Sequence, residues 1–159
     1  MSTSKRQRTE SWTAETISWR SSKSLGQKFK HMLDNDHRTD ITFIFTKESK
    51  KVRAHKLVLS SASEVFDQMF YGNCSKDVIE ISDFSEEAFK LMLQFIYEED
   101  PDIDNTMVSE NAVELCMLAE KYKISSIIEH LRKTSVTTEV TDSNGHSWLS
   151  IAIKLRFEE

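Results

Sequence analysis

The chain has 159 residues, room for one domain with a substantial core plus tails but not for two full-sized domains. With 38% hydrophobic and 30% charged residues and only three Gly and one Pro, it predicts a compact, mostly helical body and excludes collagen-like and low-complexity classes. A formal net charge of -5 opposes contact with a phosphate backbone, so direct nucleic-acid binding is not expected.

Residues 1–20 are rich in Ser, Thr, Lys and Arg without apolar periodicity and read as a flexible polar tail. The cluster Lys5-Arg6-Gln7-Arg8 resembles a nuclear import signal, although a solvated tail is the simpler reading. The tail has no apolar stretch of the secretory kind, and no run in the chain reaches the ~20 apolar residues that span a bilayer. A cytoplasmic or nuclear protein without a membrane partner is expected. Cys74 and Cys116 lack metal-ligand spacing and read as free thiols of a reducing compartment.

From Ser24 onward the pattern changes. Leu25, Phe29, Met32 and Leu33 fall at i, i+4, i+7 and i+8, one face of a short amphipathic helix. Ile41, Phe43 and Phe45 alternate in a β-branched and aromatic strand, Thr46 to Lys51 is a turn, and Val52-Arg53-Ala54 returns as the second strand of a hairpin. After the short apolar stretch His55 to Ser61, Ser63 caps a helix with Val65, Phe66, Met69 and Phe70 on one side, ending near Gly72. Val78 to Ile81 is a short strand. Ser85 then caps a helix through Tyr97, with Glu86 and Glu87 complementing its dipole and apolar residues covering most of its circumference, as in a central buried helix.

The acidic stretch Glu98 to Asn105 with Pro101 reads as a loop. Ser109 or Asn111 opens the next helix, Asn111 and Glu114 having capping-box spacing and Ala112, Leu115, Cys116 and Ala119 a core face. Ile124 to Arg132 is a further helix, and Thr134 to Asn144 is polar and unperiodic before the Asn144-Gly145 turn signal. His146 to Glu159 fits both periods: Trp148, Ile151, Ala152 and Leu155 suit a helix, whereas Leu149, Ile151, Ile153, Leu155 and Phe157 alternate like a strand. Helix is the slightly better fit.

Strings in this order resemble the BTB/POZ family. They are Asp40-Ile41-Thr42-Phe43, Arg53-Ala54-His55-Lys56-Leu57-Val58-Leu59, and Ser63-Glu64-Val65-Phe66 with Met69-Phe70, where the family usually has Pro in place of Glu64. Ile79-Glu80-Ile81-Ser82-Asp83 follows, with Glu87-Ala88-Phe89 and Phe95-Ile96-Tyr97, and then Asn111-Ala112-Val113-Glu114-Leu115 and Ala119-Glu120-Lys121-Tyr122. The resemblance covers roughly residues 24–131. It implies an α+β fold, a helical cluster flanked by a small, short-stranded β-sheet with an N-terminal dimerisation helix. The division is then a tail over 1–20, a BTB/POZ domain over 21–132 and a short C-terminal extension over 133–159. Trp19 and the helix after it also look like the N-terminal extension of BTB proteins that carry BACK and kelch or PHR domains, for which the residues after Lys133 are too few.

The resemblance implies a module that binds proteins and catalyses nothing. His55 and Asp40 invite a general-base reading, but the resemblance places both in structural roles, and no Gly-x-Ser-x-Gly elbow exists in the chain. The five histidines lack H-E-x-x-H or paired Cys/His spacing, and three dispersed glycines make no phosphate loop, so neither metal nor cofactor is expected. Leu25, Phe29, Met32 and Leu33 either pack on their own domain or, as the resemblance implies, form a dimer interface across a two-fold axis. The leading function is a homodimer that acts as, or regulates, a substrate adaptor of cullin-RING ubiquitin ligases, with other BTB proteins as further partners. Its cullin contact would lie in the loop Tyr71-Gly72-Asn73-Cys74-Ser75-Lys76-Asp77, with Tyr71, Asn73, Lys76 and Asp77 as candidates; the loop lacks the Glu that many cullin-binding members carry. The alternative is a scaffold or a transcriptional module whose dimer groove recruits corepressor peptides. A potassium-channel type of tetramer fits poorly, because that group usually lacks the N-terminal helix.

Overall fold

The computed structural model describes residues 21, 23–72, 76–98, 101, 103 and 105–137. The polar tail with its basic cluster, Trp19, Asn73, Cys74, the Asn144-Gly145 turn and the segment His146 to Glu159 lie outside them.

Helix α1 (Leu25–Asp34) opens with a full capping box, in which Ser24 Oγ accepts from the Gln27 N–H and the Gln27 side chain accepts from the Ser24 N–H. Strands β1 (Ile41–Phe45) and β2 (Lys50–Ala54) form an antiparallel hairpin, and β3 (Val78–Ile81) lies parallel to β1 on its other side, giving the order β2-β1-β3. A parallel neighbour needs a crossover. Helices α2 (Lys56–Ala62) and α3 (Glu64–Tyr71) fall between β2 and β3 in the chain and supply it. Helices α4 (Glu86–Tyr97), α5 (Asn105–Tyr122) and α6 (Ser125–Thr137) complete the helical side.

The alternation read in β1 is real: Ile41, Phe43 and Phe45 are buried and the residues between them are half-buried. Their rings meet α4, with Phe89 lying 4.6 Å from Phe43 and 5.4 Å from Phe45 between centroids. Phe66 of α3 stacks on Tyr122 at 4.2 Å, which joins the crossover to the end of α5. Ser63 secures the same junction by accepting from the Phe66 N–H and donating to the Tyr122 carbonyl. In α4 eight of twelve residues are buried, as its nearly all-round apolar sequence requires.

Several boundaries move. Strand β2 starts at Lys50 rather than Val52, because Ser49 takes a left-handed conformation (φ 54) and closes the turn early. Lys50 and Lys51 then pair with Phe45 and Ile44 while their side chains stay exposed. The apolar stretch after His55 forms the first of two short helices between β2 and β3, as its place in the order implied, and Leu59 alone in it is buried. Helix α5 begins at Asn105, ahead of both expected caps, because buried Val108 continues the Ala112, Leu115 and Ala119 stripe one turn earlier. Asn111 is therefore inside the helix, donating to the Met107 carbonyl, and Glu114 accepts instead from the N–H and hydroxyl of Ser85. Helix α6 runs from Ser125 through Thr137, past Arg132 into part of the segment expected to be irregular. No Gly or Pro interrupts it.

A charge cluster ties the hairpin turn to the start of α4. Glu86 takes Lys90 at 2.5 Å and Lys50 at 3.2 Å, while Glu48 accepts from the Glu86 N–H and also pairs with Lys50. Burial pushes the Glu86 carboxyl up, but the hydrogen bonds from Lys90 and Lys50 outweigh it and hold the group below the usual carboxylate range. A folded-state value below the unfolded one stabilises the protein above about pH 4.5, and that stability is lost as the pH falls through the folded value. The urea midpoint should therefore drop on acidification below about pH 4.5, and Glu86→Gln should flatten the drop. Parallel profiles for the two proteins would show that the cluster contributes nothing.

Candidate interaction surfaces

His55 and Asp40, the pair that invited a general-base reading, are both engaged in structural hydrogen bonds. The ring of buried His55 sits between Tyr97 and the loop after α1: Nδ1 lies 2.8 Å from the Tyr97 hydroxyl and Nε2 lies 2.8 Å from the His37 carbonyl. A carbonyl only accepts, so Nε2 carries a proton and the Tyr97 hydroxyl can donate to Nδ1 while accepting from the His55 N–H at 2.9 Å. Burial also pushes the Tyr97 hydroxyl well above its ordinary value. Asp40 does not touch the ring; its carboxylate accepts from the Lys56 N–H at 2.7 Å and so caps α2. Among the described residues no group of three or more His, Cys, Asp or Glu could hold a metal, and no helix is long and apolar enough to cross a membrane. Cys116 is buried and in no disulfide, and its thiol donates to the Glu120 carboxylate at 3.8 Å.

What remains is surface. Helix α1 leans on α4 through Gly26, where an added Cβ would come within 3.0 Å of the Tyr97 carbonyl oxygen. That approach half-buries Phe29 and Leu33 against the core and leaves Leu25 69% exposed. Leu25 and Phe29 share a groove of about 940 Å³ with Leu57, Val58, Phe95 and Ile96. Leu33 instead faces Val52 and Leu93 around the other side of the helix, and half-buried Met32 lines neither depression. Leu57, 71% exposed, is the member that sequence reasoning missed. The string from His55 reads as a short apolar stretch, and helical periodicity measured from Leu59 would have set Leu57 off the core face.

The candidate loop is divided. Tyr71 ends α3 and is 59% exposed, Lys76 is exposed, and Asn73 lies outside the described residues. Asp77 serves the fold: its carbonyl accepts from the Thr42 N–H and its carboxylate takes the ammonium of Lys56. That bond, outweighing burial, raises Lys56 above its ordinary value. Helix α3 ends at Gly72, whose backbone turns extended while its N–H donates to the Gln68 carbonyl, a close approach that an added Cβ would not allow.

A domain whose polar centre is committed to structure and whose apolar side chains gather in an open groove is built to bind other proteins. The BTB/POZ domain profile matches residues 29–156, and the chain belongs to that family of protein-interaction domains. It is 35% identical over 111 residues to BTB/POZ and MATH domain-containing protein 3 of Arabidopsis thaliana, covering 68% of this chain and 25% of that protein. It is 31% identical over 128 residues to BTB/POZ domain-containing protein 6-B of Danio rerio, covering 77% and 25%. The match thus spans about a quarter of the length of these relatives. Among solved structures, the BTB domain of zebrafish PATZ1 superposes with a TM-score of 0.57 over 79% of this chain and 97% of that one; at 19% identity the likeness is one of fold.

Proposed function

We propose that this chain is a homodimeric BTB module of the cytoplasm or nucleus that acts as, or regulates, a substrate adaptor of cullin-RING ubiquitin ligases. The observation that carries the dimer is the groove beside α1, with Leu25 and Leu57 exposed on it. Burying such side chains contributes roughly 1.5 to 3 kcal/mol each before the costs of association. A single chain leaves both in water. A two-fold contact through α1 and α2 would cover them twice over, once on each protomer.

For the cullin, the support is Tyr71, a large aromatic presented at the end of α3 beside the Lys56 and Asp77 pair. Aromatic side chains of this kind anchor interface centres, often at 2 kcal/mol or more. With no Glu in the loop, Tyr71 has to supply most of the affinity, so Tyr71→Ala should weaken capture of a purified cullin N-terminal domain at least about tenfold, the equivalent of 1.4 kcal/mol. The mass of the free protein in light scattering should not change. No capture by the unmodified chain at micromolar concentration, or capture indifferent to Tyr71, would remove the cullin from this account and leave the dimer standing.

A further inference from the structure

The sheet has two outer edges, and they differ in a way that bears on self-association. At β2 the exposed side chains Lys50, Lys51 and Arg53 are all cationic, so a second copy brought alongside is repelled. On the inner side of β3 the carbonyls of Asp77, just before the strand, and of Ile81 accept from the N–H groups of Thr42 on β1 and of Thr46 just after it. Odd-numbered residues of β3 therefore turn their backbone groups inward, and Val78 and Glu80 turn theirs outward, where the sheet has no further strand among the described residues. A groove of about 750 Å³ lined by Gln68, Met69, Lys76, Val78, Ile79 and Glu80 lies along this edge.

The side chains follow the same parity. Ile79 is half-buried and Ile81 buried, whereas Val78 and Glu80 stand exposed on the opposite face, Val78 at 49%, and Lys76, just before the strand, is exposed as well. Among the described residues neither Lys76 nor Glu80 forms an ion pair. The order cation, apolar, anion at alternate positions is self-complementary when the strand is turned end for end. An antiparallel copy centred on Val78 sets Val78 against Val78, Lys76 against Glu80 and Glu80 against Lys76. Val78 and Glu80 turn their backbone groups outward and Lys76 lies just before the strand, so the central Val78 pair falls at a hydrogen-bonded position of the new ladder and the two ion pairs flank it.

We propose that β3 is a second self-association site, at which two copies of this chain join edge to edge across a two-fold axis at Val78 and extend their sheets into one. The site is independent of the groove beside α1. If the α1 dimer of the previous subsection also forms, two different two-fold contacts on one chain link dimers into larger species, a closed dihedral assembly where the axes meet suitably and an open string where they do not.

Charge reversal tests this without touching the core. Sedimentation of the unmodified chain should show species larger than a dimer whose share grows with concentration. Glu80→Lys turns both symmetry-related ion pairs repulsive and should weaken the edge contact at least about tenfold. Lys76→Glu combined with Glu80→Lys restores opposite charges and should restore the larger species. Val78→Pro deletes an outward N–H, leaves the bonds to β1 in place, and should act like Glu80→Lys. In a Leu25→Asp, Leu57→Asp background, a dimer that dissociates on Glu80→Lys supports the edge contact even if the α1 interface is wrong. The proposal is overturned if Glu80→Lys changes association in neither background, or if the double reversal fails to restore what the single one removed.

Discussion

Phe89→Ala should cost about 3 to 5 kcal/mol of folding free energy, the range for truncating a fully buried aromatic ring. The ring is completely excluded from solvent and touches both layers, with Phe43 and Phe45 from the sheet and Tyr122 from α5 at 6.5 Å between centroids. Since small domains hold only about 5 to 15 kcal/mol in total, the variant should melt more than about 10 °C below the parent or fail to fold at 37 °C. The check is a thermal and urea unfolding series by circular dichroism, with Met117→Ala, at a side chain 41% exposed, as the control. A loss under about 1 kcal/mol at Phe89 would mean that α4 is not the element joining the sheet to the helices.

Much of this core was legible in advance, and the reason is periodicity. Ile41, Phe43 and Phe45 alternate with the period of a strand buried on one face, and Ser63 and Ser85 stand where an N-cap must stand, each accepting from the N–H three residues on. Period reveals which residues share a face but not where a helix starts when its first turn is polar. That is why α5 was placed a turn or more late, and why Asn111 and Glu114 looked like a capping box although Glu114 reaches across to Ser85. The parallel pairing of β3 with β1 carries no local signal, since it depends on how α2 and α3 pack in between.

The surface was less legible than the core. Leu25, Phe29, Met32 and Leu33 share a helical face, yet the fold divides them: Phe29 and Leu33 pack on the core, and Leu25 is left to the solvent. Its apolar companion comes from a different element, Leu57 of α2, and no spacing rule links residues 32 positions apart. Tyr71 stands exposed at the end of α3, whereas Asp77 in the same candidate loop is taken up by Lys56 and Thr42. Exposure separates these cases, and exposure depends on the tertiary fold.

The second large effect follows from that division. An Asp at Phe29 would place a charge against the chain's own core, so the informative substitutions are Leu25→Asp and Leu57→Asp, both at side chains already in water in the single chain. Together they should leave the melting curve of the isolated fold nearly unchanged, since surface substitutions of this kind usually shift stability by no more than about 0.5 kcal/mol. In the dimer each would bury an unpaired carboxylate on both protomers, a cost of several kcal/mol per group and enough to raise the dissociation constant by more than about a hundredfold. The direct measurement is the mass of the unmodified chain and of this double variant by multi-angle light scattering at micromolar concentration. The account predicts a dimer or larger species for the former and, once the β3 edge is blocked by Glu80→Lys, a folded monomer for the latter. A monomeric unmodified chain, or a triple variant that remains dimeric, would contradict it.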